Sequence, residues 1–188
     1  SDLNINHLET PTHDKDGTPE FYEYATRPNL RRQQERYVRK MIDETIQFPN
    51  IIYEIENEHW AMNSPDFGQH YAKFVKEYIA RKYPDSPRLV SYSSLLPDLE
   101  KYYEITWVDI VNKHFGNDAE RDPGVLNEYI ETRWPLGKAI NIDEFANGVT
   151  DPEVLRPMCW TIMTSGGNFH IEDAAESAQP FGICENIG

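Results

Sequence analysis

Four stretches of the chain repeat hydrophobic residues at helical spacing, and each predicts a helix with one buried face. The first covers residues 29–47, and the others begin at Pro65, Pro123 and Pro152, each preceded by serine or aspartate. A capping side chain followed by proline is typical of a helix start, because the first turn does not need the N–H group that proline lacks. The residues expected on the buried faces are Leu30, Tyr37, Val38, Met41, Ile42, Ile46, Phe67, Tyr71, Phe74, Val75, Ile79, Val125, Leu126, Tyr129, Ile130, Val154, Leu155, Met158 and Ile162.

Short apolar runs between these helices predict six strands. They cover residues 3–7, 50–55, 88–92, 107–112, 139–143 and 168–171. Strands that alternate with helices indicate an α/β fold with a parallel sheet. A (β/α)8 TIM barrel takes roughly 250 residues, or about 31 per unit, so 188 residues correspond to about six units. We therefore expect a single domain over residues 1–188 that forms a partial TIM barrel. A doubly wound sheet is the competing fold, and the absence of a glycine-rich turn after an early strand disfavours it.

The composition of the chain limits the classes of molecule that it can bind. The chain has 18 Lys and Arg against 32 Asp and Glu, a net charge of -14. This charge repels nucleic acid and anionic lipid, and no apolar run approaches the roughly 20 residues that cross a bilayer. We expect a neutral substrate such as a glycan, with no nucleic-acid or membrane partner. Cys159 and Cys184 are too few for a disulfide scaffold or a thiolate metal cluster, and we expect two free thiols.

Two of the predicted strands end in acidic residues. Strand 50–55 leads to Asn57 and Glu58, and strand 139–143 leads to Glu144. Barrel enzymes carry their chemistry at the carboxyl ends of the strands. Retaining glycoside hydrolysis needs one carboxylic acid to protonate the leaving oxygen and a second carboxylate to attack the anomeric carbon. Asp143 is a rival to Glu144, because neighbouring residues of a strand point to opposite faces.

These motifs resemble the clan A retaining glycoside hydrolases, especially the family 5 cellulase-like enzymes, in which an Asn-Glu pair ends the fourth strand and a glutamate ends the seventh. The resemblance runs from the third to the eighth strand, so the first and second strands are absent. It implies that Glu58 is the acid/base and Glu144 the nucleophile. It also implies cleavage of β-linked glycosides by double displacement, without a cofactor.

The same resemblance extends to substrate-binding residues. His7 and His114 match histidines that the family places after its third and sixth strands, and Asn57 would hold a sugar hydroxyl group. Where the family has a substrate-stacking tryptophan after its eighth strand, this chain offers Phe169 or His170. Trp60 follows the expected acid/base closely, where its indole ring could stack on a sugar.

The sequence also departs from the family pattern. Gly116 stands where the family often has a tyrosine that holds the nucleophile, and the arginine of the second strand is absent. These departures leave a second hypothesis, a catalytically impaired carbohydrate-binding barrel fragment.

A third, weaker hypothesis is a metal-dependent barrel hydrolase. It rests on His7 together with His170, Glu172 and Asp173, which carry ligand types that suit Zn or Mn. Their spacing matches no His-x-Glu-x-x-His type of pattern, so we expect no metal.

The chain begins at Ser1, without methionine and inside a predicted strand. We therefore expect a truncated barrel. The missing strands would come from an N-terminal segment of the same protein or from a second copy in a homodimer.

Overall fold

The protein is described by a computed structural model that covers residues 25–56, 65–94, 103–114, 122–143 and 151–170. The elements in chain order are α1 (Pro28–Thr45), β1 (Ile52–Glu54), α2 (Pro65–Lys82), β2 (Leu89–Ser94), β3 (Ile110–His114), α3 (Pro123–Arg133), a 3-10 turn (Trp134–Leu136), β4 (Ala139–Asp143), α4 (Pro152–Thr164) and β5 (Asn168–Phe169). The five strands form one sheet in the order β1-β2-β3-β4-β5, and every pair is parallel. The α/β prediction is confirmed. The predicted strand 3–7 lies outside the described residues.

Each of the four helices named above begins at a proline. At α3 the Asp122 Oδ1 atom accepts a hydrogen bond from the Gly124 N–H group at 2.8 Å. At α4 the Asp151 Oδ1 atom accepts one from the Glu153 N–H group at 2.9 Å. These carboxylates satisfy amide groups that the first turn leaves without a helical partner. The predicted starts of these helices are therefore confirmed.

The hydrophobic core lies between the helices and one face of the sheet. Strand residues at alternate positions point into it, among them Tyr53, Val90 and Val111, all buried. The segment between β2 and β3 adds Tyr103, Ile105 and Val108 to the same cluster, although its described part is not a full helix. We call this side of the sheet the helix-covered face and the other side the open face. On the open face, Ile52 and Leu89 near the amino ends of their strands are about half exposed.

Most of the residues expected on buried helix faces are buried, but three are exposed. Tyr37, Val125 and Val154 keep 69%, 40% and 47% of their surface in contact with solvent. Val125 and Val154 directly precede Leu126 and Leu155, which are buried. Successive helical residues are rotated by about 100°, so two neighbours cannot both face the core. Tyr37 sits in the same relation to Val38, which packs against the core.

The amino ends of the strands are joined by ionic contacts. The Asp109 Oδ2 atom accepts a hydrogen bond from the Val90 N–H group at 2.8 Å and pairs with the Lys76 ammonium group. Lys138 donates to the carbonyl oxygen of Ile105 at 2.7 Å. These contacts tie β2, β3 and the start of β4 to the segment beneath them.

The predictions about membrane-spanning segments and about the cysteines can be compared with the described residues. Among their helices, none is long and apolar enough to cross a membrane. Cys159 is a free, partly buried thiol on α4, and Cys184 lies beyond the described residues.

Candidate functional site

Four neighbouring strands place polar side chains on the open face, toward their carboxyl ends. Parallel strands covered by helices are usually apolar almost throughout, so a row of polar residues at alternate positions departs from the sheet's ordinary composition. The strand pairing aligns Ser93 with Asn112 and Asn112 with Asn141, and His114 with Asp143. The members of this row, which we call the polar row, are Glu54, Ser91, Ser93, Asn112, His114, Asn141 and Asp143.

Its first part links three strands through one carboxylate. The Glu54 Oε2 atom on β1 accepts hydrogen bonds from the Ser91 hydroxyl group on β2, at 3.2 Å, and from the Asn112 side-chain amide on β3. Ser91 and Asn112 are buried. Because β1 and β3 are not neighbours in the sheet, the Glu54 and Asn112 side chains meet across β2, above the small side chain of Ser91.

The electrostatic surroundings of Glu54 favour its neutral form. Partial burial is the main cause that raises the pKa of Glu54 above its usual value, and the charge of Asp143 adds to it. The hydrogen bond from Ser91, the nearby His114 and the bond from Asn112 oppose this rise in the pKa. Glu54 also keeps more solvent exposure than its buried neighbour Tyr53, so the rise is limited by solvent screening.

The second part of the polar row links β2, β3 and β4. The Ser93 hydroxyl oxygen lies 3.0 Å from the Nε2 atom of His114, and both residues are buried. The same Nε2 atom lies 4.0 Å from the Asp143 Oδ2 atom. On the other side, Asp143 Oδ1 lies 3.1 Å from the Nδ1 atom of His170, which follows β5 and is exposed.

In the contacts between described residues, this set of serine, histidine and aspartate differs from the geometry of a nucleophile relay. In such a relay the serine and the aspartate contact different ring nitrogens, so that the imidazole passes a proton between them. Here Ser93 and Asp143 both approach Nε2 of His114.

A buried acid lies beside the polar row, just past the end of β1. The Glu56 Oε2 atom accepts a hydrogen bond from the Tyr92 hydroxyl group, and its Oε1 atom has no hydrogen-bond partner among the described residues. Burial raises the pKa of Glu56 to about 7, against the lowering effect of the Tyr92 bond. The Tyr92 ring fits against α2 because residue 68 is glycine: a Cβ atom there would lie 2.1 Å from Tyr92 Cε2.

The predicted site residues divide into two groups. His114 and His170 are described, and the structure brings both to Asp143, at the carboxyl ends of β3, β4 and β5. His114 is the last residue of β3 rather than a residue after it. Five further predicted residues lie outside the described part of the chain: His7, Asn57, Glu58, Trp60 and Glu144.

The strands that precede the two acidic residues can be compared in the sheet, although Glu58 and Glu144 themselves lie outside the described residues. β1, which leads to Glu58, and β4, which leads to Glu144, are three strands apart in the sheet. The rival carboxylate Asp143 points into the polar row, where it meets two histidines.

Five members of the polar row were not predicted from the sequence: Glu54, Ser91, Ser93, Asn112 and Asn141. Their signal was present in the strand pattern. Each is a polar residue at an alternate position of a strand whose intervening residues are mostly Ile, Val or Tyr, and all of them therefore point to one face. Glu56 was not predicted either, because its hydrogen-bond partner Tyr92 is distant in sequence.

Two other features do not add to the site. Within the described ranges, no three His, Cys, Asp or Glu side chains are grouped so that they could hold a metal ion. A cavity of about 390 Å³ lies at the amino ends of β4 and β5, lined by Trp134, Gly137, Lys138, Ala139, Gly166 and Asn168. It is at the opposite end of the strands from the polar row.

Comparison with known proteins supplies no identification. No model of a known protein family matches the chain, and no curated protein matches its sequence. The function has to be argued from the polar row and the sequence pattern.

Proposed function

We propose that this protein is a retaining glycoside hydrolase that cleaves β-linked glycosides, with Glu58 as acid/base and Glu144 as nucleophile. The substrate is an uncharged oligosaccharide or polysaccharide. His114, His170, Asn57, His7 and Trp60 would contact its sugar rings.

The polar row is the observation that carries this proposal. Its side chains line the carboxyl ends of consecutive parallel strands, which is where barrel enzymes bind substrate. Serine, asparagine, histidine and carboxylate groups suit the hydroxyl groups of a sugar, because each can donate or accept hydrogen bonds. β1 and β4, the strands that precede Glu58 and Glu144 in the sequence, both end at this edge of the sheet.

The sheet order supports a partial TIM barrel as the scaffold. Each strand pairs with the next one along the chain, and all pairs are parallel. A doubly wound sheet reverses its strand order at a switch point, and the five described strands contain no such reversal. A barrel in which these strands are the fourth to eighth places the open face inside, so the polar row would line its mouth.

The deciding experiment is hydrolysis of aryl β-glycosides by the purified chain and by matched amide variants. We expect Glu58→Gln and Glu144→Gln to lose nearly all activity, since an amide can neither protonate the leaving oxygen nor attack the anomeric carbon. NMR of the first product should show a β-anomer, the mark of retention. A first product with the α-configuration would contradict the double-displacement mechanism.

The same experiment separates Glu144 from its neighbour. A 2-fluoro glycoside traps the covalent intermediate, and peptide mass spectrometry identifies the labelled carboxylate. We expect the label on Glu144, and we expect Asp143→Asn to keep measurable activity. A label on Asp143 would identify Asp143, rather than Glu144, as the nucleophile. Binding of oligosaccharides without any hydrolysis would instead favour the carbohydrate-binding fragment.

A further inference from the structure

The carboxylate of Glu54 connects two strands that share no backbone hydrogen bonds. β1 and β3 are separated by β2, and two strand spacings amount to roughly 9 to 10 Å. The Glu54 and Asn112 side chains cover this distance by extending toward each other over Ser91.

The ends of these two strands carry the residues that the proposed reaction needs. Glu58 follows Glu54 by four positions in the sequence, and His114 lies two positions after Asn112 on the same face of β3. A hydrogen bond between Glu54 and Asn112 therefore restrains the spacing between the segment that bears the acid/base and the buried imidazole. Catalysis depends strongly on such spacing, because a displacement of about 1 Å can cost roughly 100-fold in rate.

We propose that Glu54 is a positioning residue of the active site, which holds β1 and β3 at a fixed separation by accepting hydrogen bonds from Ser91 and Asn112. This role rests on the proposed glycosidase function for its effect on rate. It requires a hydrogen-bond acceptor at position 54 and does not require a proton to be transferred there.

Two substitutions of Glu54 separate positioning from proton transfer. Glu54→Gln keeps an oxygen that can accept both hydrogen bonds, whereas Glu54→Ala removes it. We expect Glu54→Gln to stay within about threefold of the wild-type kcat, and Glu54→Ala to lose roughly 10- to 100-fold in kcat with little change in KM. An equal loss in both variants would overturn the proposal, as would an undiminished kcat in Glu54→Ala.

Asn112→Ala provides the matched partner variant. If Glu54 acts through Asn112, the double variant Glu54→Ala/Asn112→Ala should be no slower than the slower single variant. If the losses in kcat of the two single variants multiply in the double variant, the proposal is contradicted. Thermal unfolding of each variant identifies any that fails to fold.

A second measurement does not depend on glycosidase activity. In an NMR spectrum of the full chain, the Asn112 side-chain amide and the His114 ring should give the same signals in the wild type and Glu54→Gln, and displaced signals in Glu54→Ala. This pattern in a protein that hydrolyses no glycoside would support the positioning role and reject the proposed function. Signals that do not respond to Glu54→Ala would reject the positioning role.

Discussion

Glu56 is a carboxyl group whose surroundings oppose its charge. Its side chain is buried, the Tyr92 hydroxyl group is its one hydrogen-bond donor among the described residues, and burial raises its pKa to about 7. In the unfolded chain its pKa would return to about 4.5. Between these values the unfolded state releases the proton and the folded state keeps it, so the folded state loses stability as the pH rises.

We predict that Glu56→Gln removes this pH dependence. Gln can still accept the Tyr92 hydrogen bond but cannot ionise. From pH 4.5 to pH 7 the free energy of unfolding of the variant should rise relative to the wild type by up to ~3 kcal/mol. Urea unfolding at several pH values measures the difference. Glu131→Gln, at an exposed position of α3, should show no such trend, and a constant difference for Glu56→Gln would contradict the assigned burial.

At the scale of elements, α1 and α2 are joined by one carboxylate. The Asp43 Oδ1 atom on α1 accepts hydrogen bonds from the Tyr78 hydroxyl, the Lys82 ammonium group and the Tyr83 hydroxyl, each at 2.8 Å. The hydrogen bond from Lys82 is the main cause that lowers the pKa of Asp43 to about 2. The folded state therefore favours the charged carboxylate, and this contribution to stability is present above pH 3.8 and is lost as the pH falls toward 2.

We predict that Asp43→Asn lowers the midpoint of thermal unfolding at pH 7 by no more than ~4 °C, because the group is partly exposed and the ion pair is screened. The gap between variant and wild type should close between pH 4 and pH 2. Calorimetry across this range measures it. The exposed Asp85 in the turn after α2 offers the control, since Asp85→Asn should change little at either pH. A difference in unfolding midpoint that widens as the pH falls would contradict the role assigned to Asp43 in joining α1 and α2.

The helices and strands were predictable because their signals are local. Capping at Asp122 and Asp151 depends on residues two or three positions away, and the alternation of helices and strands determines the α/β class. The polar row was harder to predict. Glu54 meets Asn112 only because three strands lie side by side, and the hydrogen bond to Glu56 comes from a tyrosine that Gly68 accommodates. Such contacts join distant parts of the sequence, and no local pattern specifies them.

At the scale of the whole molecule, the open face carries, within the described residues, a pattern that is unusual for a surface in contact with solvent. Ile52 and Leu89 are half exposed near the amino ends of their strands, and buried polar residues follow toward the carboxyl ends. Side chains in these positions would fill the interior of a closed barrel. The edge strands of an open parallel sheet also present unpaired N–H and C=O groups.

We therefore predict that the chain does not persist as a dilute monomer with an open sheet. Light scattering should give a mass well above 21.9 kDa, or thermal unfolding should lack a cooperative transition. A stable monomer with one sharp transition would show that the chain closes its own sheet, and would reject the partial barrel.

The strands lie in the sheet in the same order as along the chain, and this order also bears on how the protein folds. Each described strand pairs with the next described strand along the chain. An early strand can therefore pair before the carboxyl-terminal part of the polypeptide has been synthesised. During synthesis the sheet can grow by one strand at a time, and each newly emerged helix can pack on the strands already paired. Pairing between sequence neighbours keeps the entropy lost on closing each loop small. Folding should therefore proceed from β1 toward β5, and the polar row should be completed only when β4 brings Asp143 to His114.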